Sequence, residues 1–163
     1  MAISLKGRNF FALEDFTPEE IRYLLDLAIQ LKKESKEHIK HQDYIGEDFL
    51  LLFEMNSTRT RCAFETSAND LGMGTTFLSN SHFGNTETIK DSMRVFSEMY
   101  SAIGYRGAKH STLLEMAKDS TIPIINGYTD HQHPTQMLAD AMTLDEVWGR
   151  ENYKGKTLCF IGR

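Results

Sequence analysis

Short apolar runs alternate with helical stretches through most of the chain, and this alternation constrains the fold more than any other feature. Runs typical of buried strands occupy residues 49–53, 75–78, 102–105 and 122–125. Helical patterns follow them at 61–71, 88–100, 112–119 and 134–148. Because strands this short and joined by helices require right-handed crossovers, the sequence predicts an α/β fold: a parallel sheet of about four strands covered by helices on both faces.

One further helix is predicted ahead of the first strand, over residues 18–37. Thr17 supplies an N-cap, Pro18 suits the first helical position, and Glu20 completes a capping box. The apolar residues of this segment recur at helical spacing, so one side of the helix should contact the rest of the protein and the other should face solvent.

The final residues, 156–163, predict a fifth strand that reaches Gly162. The turn and helix that would cover such a strand do not follow it. We therefore expect one domain over residues 1–150 and, over residues 151–163, the first strand of a truncated second domain. On this interpretation the chain is an N-terminal fragment.

Charge and hydropathy exclude several classes of function. The net charge is -5 without a long basic run, which gives little support for a nucleic-acid or membrane-surface role. No apolar stretch approaches the ~20 residues that span a bilayer, and the start of the chain lacks signal-peptide or transit features, so we expect a cytoplasmic protein. Cys62 and Cys159 lie in apolar contexts, and we expect two buried, reduced thiols.

Residues 57–61, Ser-Thr-Arg-Thr-Arg, follow the first predicted strand at the point where a helix begins. The free amides and the positive dipole end of a helix favour an anion at this position. Ser57, Thr58 and Thr60 add hydroxyl donors, and Arg59 adds a planar guanidinium that matches two phosphate oxygens. The alternative is an ordinary N-cap followed by solvated arginines. Two arginines interleaved with two threonines favour a phosphate site.

Polar residues also follow the other predicted strands, and the carboxyl ends of parallel strands share one edge of a sheet. His82 follows the second strand, Arg106 follows the third, and His133 and Gln136 lie beyond the fourth, where the last helix begins. Arg106 offers a second guanidinium, an imidazole can polarise a carbonyl, and a carboxamide can bind an amide NH2. Each residue taken singly also fits a surface or capping role. Together they predict one ligand site at this edge.

Neither a metal nor a cofactor is expected. His82, His131 and His133 could be combined into a metal cluster, but such a site needs further ligands with supporting hydrogen bonds, and the remaining histidines are scattered. The Gly72-Met-Gly74 segment lacks the third glycine and the strand-to-helix placement of a dinucleotide loop, so it is interpreted as a helix end and a turn.

Two segments carry a family resemblance. Residues 57–65, Ser-Thr-Arg-Thr-Arg-Cys-Ala-Phe-Glu, resemble the carbamoyl-phosphate signature of the aspartate and ornithine carbamoyltransferases, and the Cys-Ala pair is closer to the ornithine branch. Residues 133–136, His-Pro-Thr-Gln, resemble the second family signature, with an ornithine-like lead-in over residues 123–130. The resemblance covers nearly the whole chain but only the first half of a complete family member.

The resemblance implies an enzyme that transfers the carbamoyl group of carbamoyl phosphate to an amine. Arg106, His133 and Thr60 are the implied catalytic residues, which donate to the carbonyl oxygen. The implied phosphate ligands are residues 57–60 together with Arg106, and Gln136 is implied to hold the carbamoyl nitrogen. With ornithine as the acceptor, the products are citrulline and phosphate, and the reaction belongs to arginine metabolism.

The resemblance also implies a homotrimer with a shared active site, because in this family the loop that here carries His82 reaches the neighbouring subunit. Ornithine would bind to the missing second domain, so we expect the isolated chain to be inactive. Met55 departs from the lysine that many ornithine enzymes have. Two alternatives stay open: a carbamoyltransferase for aspartate or another amine, and a noncatalytic anion-binding or assembly module.

Overall fold

The computed structural model describes residues 3–161 and contains a four-stranded parallel sheet. The strands are β1 (Asp48–Phe53), β2 (Gly74–Ser79), β3 (Ala102–Arg106) and β4 (Ile124–Tyr128). The helices are α1 (Pro18–Lys36), α2 (Arg59–Asp70), α3 (Ile89–Met99), α4 (His110–Asp119) and α5 (Pro134–Trp148). Short 3₁₀ turns occupy Leu13–Asp15 and Arg150–Asn152. The predicted α/β class is confirmed.

The order of the strands in the sheet is β2-β1-β3-β4. From β1 the chain first moves outward to β2, and it then crosses to the other side of β1 to form β3 and β4. The direction of winding therefore reverses between β1 and β3. A parallel α/β sheet opens a crevice at such a reversal, outside the carboxyl ends of the strands. In this chain the crevice lies between the segments that follow Phe53 and Arg106.

Both faces of the sheet are covered by helices. One core combines strand side chains such as Leu52 and Tyr105 with Met93 of α3 and further residues of α4. The opposite core combines Leu51 with Phe64 and other residues of α2. Leu51 and Leu52 belong to different cores because successive side chains of a strand point to opposite faces.

Helix α1 begins where the sequence predicts. The Thr17 hydroxyl accepts a hydrogen bond from the Glu20 amide at 3.2 Å, and the Glu20 carboxylate accepts one from the Thr17 amide at 2.9 Å. This reciprocal pair satisfies two donors that the helix itself cannot satisfy. The helix contacts α5. Within residues 3–161, no helix has the length and apolarity required to cross a membrane.

Strand β4 differs from its predicted range of 122–125, since it begins at Ile124 and ends at Tyr128. Pro123 has no amide proton to donate to a sheet. The N-terminal segment instead extends the pairing: the Phe10 amide donates to the Ile124 carbonyl at 2.9 Å, and the Asn126 amide donates to the Phe10 carbonyl at 2.8 Å. Strand β4 continues through Asn126 and Gly127 because β3 pairs with it as far as Tyr128, which lies opposite Arg106 after a register shift.

Two expectations are wrong. Cys62 and Cys159 are free thiols, but both are exposed, because neither residue packs into a core. Residues 156–161 do not form the fifth strand, because no other segment within residues 3–161 pairs with them, and Phe160 is 89% exposed. Gly162 and Arg163, where that strand was predicted to end, lie outside the described residues.

Candidate active site

Arg106 is the last residue of β3, and its guanidinium enters the crevice between β1 and β3. Nη1 lies 3.3 Å from the Thr60 hydroxyl and 3.2 Å from the Gly127 carbonyl oxygen. The guanidinium carbon lies 4.7 Å from the centre of the Tyr128 ring. Nε is buried and has no hydrogen-bond partner among residues 3–161. A buried donor without a partner is costly, so Nε is an unsatisfied group that the described residues leave at the crevice.

The segment after β1 places its hydroxyls at the start of α2. The helix begins at Arg59 rather than at residue 61, and the Ser57 hydroxyl accepts a hydrogen bond from the Thr60 amide at 3.3 Å. The capping interpretation is therefore partly correct. Thr58 is the N-cap residue, but its side chain makes no capping bond. Its hydroxyl and the first-turn amides face the end of the helix that favours an anion.

The two arginines of this segment have different environments. Arg59 is exposed and forms no ion pair with any of residues 3–161. Arg61 is held by its neighbours: Nε lies 2.9 Å from a carboxylate oxygen of Glu65, and the guanidinium carbon lies 3.6 Å from the centre of the Phe77 ring. Arg59 is therefore the arginine of α2 that is available to a ligand, whereas Arg61 ties α2 to β2.

His133 precedes α5 as its N-cap residue and faces the Arg106 region. Its Nδ1 lies 3.1 Å from the Thr135 hydroxyl, and its ring centre lies 5.8 Å from that of Tyr128. Burial, and next the nearby Arg106 guanidinium, lower the pKa of His133 below its ordinary value. The imidazole is therefore neutral at pH 7. With the Thr135 hydroxyl as the donor to Nδ1, the single ring proton would lie on Nε2 and could be donated to a ligand oxygen; with Nδ1 as the donor, Nε2 would be an acceptor.

The lowered pKa of His133 predicts how the free energy of unfolding depends on pH. The folded protein binds this proton less readily than the unfolded chain. The contribution of His133 to the free energy of unfolding is therefore fully present above about pH 6.5, and it is lost as the pH falls through the lowered pKa of the folded protein. Urea unfolding between pH 8 and pH 5 should show the wild type losing stability relative to the His133→Asn variant. An Arg106→Met background should reduce the difference. Parallel profiles for wild type and His133→Asn would contradict this assignment.

Gln136 lies in the first turn of α5 and is exposed. Its amide nitrogen donates to a carboxylate oxygen of Asp140 at 2.9 Å, one turn further along the helix. Because the amide nitrogen is engaged there, the amide oxygen is the group that can accept protons from a ligand NH2. The role implied for Gln136 in holding the carbamoyl nitrogen stays a prediction.

The Asn126 side chain, to which the sequence assigned no role of its own, holds the loop between β4 and α5. Asn126 is fully buried, and its amide nitrogen donates to the Phe11 carbonyl at 2.8 Å and to the Gln132 carbonyl at 3.1 Å. Its amide oxygen accepts from the Tyr128 amide at 3.0 Å. These bonds fix the chain immediately before His133. The signal was a polar Asn-Gly pair inside an apolar run, which by itself also fits an ordinary turn.

His82 is not brought into contact with the other predicted site residues. It follows β2, which lies at the edge of the sheet, and it is exposed. Its Nδ1 lies 3.0 Å from the Thr86 hydroxyl, within the same loop. The structure thus brings together the loops after β1, β3 and β4, and it leaves the loop after β2 apart from them.

His131 and His133 face separate partners. Nε2 of His131 lies 3.1 Å from a carboxylate oxygen of Glu14, whereas His133 contacts Thr135. Among the described residues, no three His, Cys, Asp or Glu side chains have the arrangement of a metal site. A cavity of about 500 Å³ lies at the opposite end of the sheet, beside Phe49 and Ala102. Its lining is largely apolar, so it does not suit an anion.

The fold and the crevice define the class: a parallel α/β domain with Arg59 and Arg106 at the reversal of strand order. A sequence profile described as "Aspartate/ornithine carbamoyltransferase, carbamoyl-P binding domain" matches residues 8–146. The chain belongs to this family.

Similar proteins agree with this assignment. An ornithine carbamoyltransferase of Caldanaerobacter subterraneus is 48% identical over 99% of this chain and 52% of its own length. A catabolic ornithine carbamoyltransferase of Clostridium perfringens is 51% identical over 90% of this chain and 44% of its own length. The solved structure of the Pyrococcus furiosus ornithine carbamoyltransferase superposes with a TM-score of 0.86 at 37% identity, covering 89% of this chain and 47% of that one. The chain thus spans about half the length of these relatives.

Proposed function

We propose that this chain is the carbamoyl-phosphate-binding half of an ornithine carbamoyltransferase, with one domain over residues 1–150 and the beginning of a second, amino-acid-binding domain over residues 151–163. The observation that carries the proposal is the unpartnered, buried Nε of Arg106, beside the Thr60 hydroxyl at the crevice. This nitrogen requires an acceptor, and Arg59 offers a second cation at the same edge. A small ligand that joins a phosphate to a carbonyl provides acceptors for both.

The chemistry follows from these donors. The neutral side-chain amine of ornithine attacks the carbonyl carbon of carbamoyl phosphate, and a tetrahedral oxyanion forms. The bond from this carbon to the phosphate oxygen then breaks, a proton of the attacking nitrogen passes to the departing phosphate or to solvent, and citrulline and phosphate result. Arg106, His133 and Thr60 donate to the oxyanion, and preorganised donors of this kind are worth ~3 to 4 kcal/mol each in the barrier. Ser57, Thr58 and the Arg59 side chain bind the phosphate as its charge grows. The mechanism requires no covalent enzyme intermediate.

Relatives support ornithine as the acceptor. Those named ornithine carbamoyltransferase are 48% and 51% identical to this chain. A structure titled as a putative aspartate carbamoyltransferase, from Trypanosoma cruzi, is 24% identical with a TM-score of 0.84, and this likeness concerns the fold alone. An enzyme that forms citrulline acts in arginine metabolism, and we assign it to the cytoplasm.

The proposal includes a homotrimer. His82 is exposed in a loop that lies apart from the crevice of its own chain, so it is accessible to a neighbouring subunit. A trimer in which this loop contributes to the adjacent crevice would add His82 to the site. Sedimentation of the wild type across a concentration series measures the oligomeric state and should show a trimer. The ligand affinity of that trimer should depend on His82.

The first test is calorimetric titration of the chain with carbamoyl phosphate. Wild type should bind, and Arg59→Ala should bind about 10- to 100-fold more weakly, because a charge-assisted hydrogen bond contributes about 1.5 to 3 kcal/mol. Arg94→Ala is the matched control, since Arg94 is exposed on α3 and its ion-pair partner within residues 3–161 is Asp119, at 3.9 Å. Equal affinity of the Arg59→Ala variant and the wild type would contradict the assignment of this arginine.

Turnover tests the reaction itself. The chain alone should form no citrulline from carbamoyl phosphate and ornithine, because the acceptor site lies on the second domain. Joined to the remaining half of a related ornithine carbamoyltransferase, it should form citrulline and should not carbamoylate aspartate. Retained binding without turnover in the joined protein would indicate a noncatalytic anion-binding module. Carbamoylation of aspartate would indicate the other branch of the family.

A further inference from the structure

A carboxylate lies directly beside the proposed phosphate site. Glu54 follows β1, precedes the anion-binding segment and is exposed. One of its carboxylate oxygens accepts a hydrogen bond from the hydroxyl of Tyr105, which is fully buried. The Glu54 amide donates to the Arg106 carbonyl at 2.9 Å, so the two backbones are adjacent. A negative charge here would repel a phosphate and compete for its cations unless it were kept away from them.

Strand geometry separates this carboxylate from the cation. Tyr105 belongs to the core that packs against α3 and α4. Arg106, the next residue, points to the other face, where its guanidinium reaches Thr60 and the Gly127 carbonyl. The Tyr105 hydroxyl therefore holds Glu54 on the side of the sheet opposite the guanidinium.

The Tyr105–Glu54 pair is built into the fold. Burial, and next the Glu54 carboxylate, raise the pKa of Tyr105 well above its ordinary value, so the hydroxyl keeps its proton and remains a donor. Gly107 leaves the space that the pair occupies, because a Cβ at this position would overlap both the Tyr105 hydroxyl and the Glu54 carboxylate. Within residues 3–161, neither Arg59 nor Arg106 forms an ion pair.

We propose that Tyr105 is a positioning residue of the phosphate site: its hydroxyl holds the Glu54 carboxylate on the α3–α4 side of the sheet and so keeps Arg106 and Arg59 available to the phosphate. The inference rests on the proposed function. Without the hydroxyl, the carboxylate can turn toward the crevice, where it pairs with a guanidinium and opposes the incoming anion. The role of Tyr105 is thus exerted through the charge of Glu54, and removal of that charge should make the hydroxyl unnecessary.

The test is a double-mutant cycle with carbamoyl phosphate and with inorganic phosphate as titrants. Tyr105→Phe should weaken binding of both by roughly tenfold, since a carboxylate then competes at close range. Glu54→Gln should bind at least as tightly as the wild type. Tyr105→Phe combined with Glu54→Gln should recover the wild-type affinity, a rescue that a purely structural role of Tyr105 cannot produce. Thermal melting of each variant verifies that it is folded.

Each outcome of the double-mutant cycle supports or contradicts the positioning role of Tyr105. Wild-type affinity in Tyr105→Phe, or an equally weak double variant, would overturn the positioning role while leaving the proposed function intact. Absence of binding of either titrant by folded wild-type protein would overturn the proposed function, and this inference with it. If Tyr105→Phe does not fold, Gly107→Ala is the second variant, because its Cβ would displace the Tyr105 hydroxyl and the Glu54 carboxylate. Its loss of affinity should likewise be recovered by Glu54→Gln, and failure of that recovery would overturn the role.

Discussion

Replacement of Arg106 by methionine should weaken carbamoyl-phosphate binding about 100-fold or more and lower the free energy of unfolding by only about 1 to 2 kcal/mol. In the proposed site the guanidinium donates to both the phosphate and the carbonyl oxygen, and charge-assisted hydrogen bonds are worth about 1.5 to 3 kcal/mol each. Removal of Nε costs no hydrogen bond, because it has no partner among the described residues, whereas the two bonds of Nη1 to the Thr60 hydroxyl and the Gly127 carbonyl are lost. Methionine retains most of the buried volume and adapts to irregular space.

Calorimetry for affinity and urea unfolding for stability separate the two effects of Arg106→Met. Arg106→Lys is the informative companion, because it retains the charge but lacks the planar fork and the Nε donor. It should recover only part of the affinity. Arg94→Ala again provides the exposed-arginine control. A methionine variant that binds like the wild type would remove Arg106 from the site, and a variant that unfolds at much lower urea would show that Arg106 is chiefly structural.

Replacement of Asn126 by alanine, in contrast, should act chiefly on stability, with a large decrease in the free energy of unfolding. Its side chain satisfies the carbonyls of Phe11 and Gln132 and the amide of Tyr128, and it is fully buried. The Gln132 carbonyl keeps the Thr129 amide as a donor, but the Phe11 carbonyl and the Tyr128 amide lose the Asn126 side chain. Groups left unsatisfied cost about 1 to 3 kcal/mol each, so we expect a decrease of about 2 kcal/mol or more in the free energy of unfolding.

Asn69→Ala is the matched control for this prediction, because Asn69 is exposed on α2 and its change should lie within about 0.5 kcal/mol. Ligand affinity of Asn126→Ala should also decrease, at temperatures where the variant is still folded, because the loop before His133 would no longer be fixed. A stability loss no larger than that of Asn69→Ala would mean that the backbone alone holds this loop.

The elements that the sequence predicted well are those with strong local signals. Helix α1 begins at a capping box, and α5 occupies its predicted range of 134–148 behind Pro134. Strands β1 and β3 are apolar runs of the expected length. Periodicity, caps and proline act within a few residues, so they can be read without knowledge of the tertiary structure.

The elements that were predicted poorly depend on distant partners. Strand β4 extends to Tyr128 because β3 pairs with it up to Arg106, and the segment at Phe10 pairs with it near Ile125. Residues 156–161 are apolar enough for a strand, but a strand forms only against another strand, and none is paired with them in the described part of the chain. The exposure of Cys62 likewise depends on which side of α2 faces the sheet. Apolar composition alone does not supply this information.

By itself, the sequence determined the fold class, the family resemblance and the identity of the polar residues at the carboxyl ends of the strands, because these follow from local periodicity and from motifs that are contiguous in the chain. Only the tertiary structure decided which of those residues meet. The reversal of strand order between β1 and β3 brings Arg106 to Thr60 and Gly127, and it leaves His82 at the far edge. The same packing ties Arg61 to Phe77 and leaves Arg59 available, because the order of strands and the rotation of a helix are set by burial between distant segments.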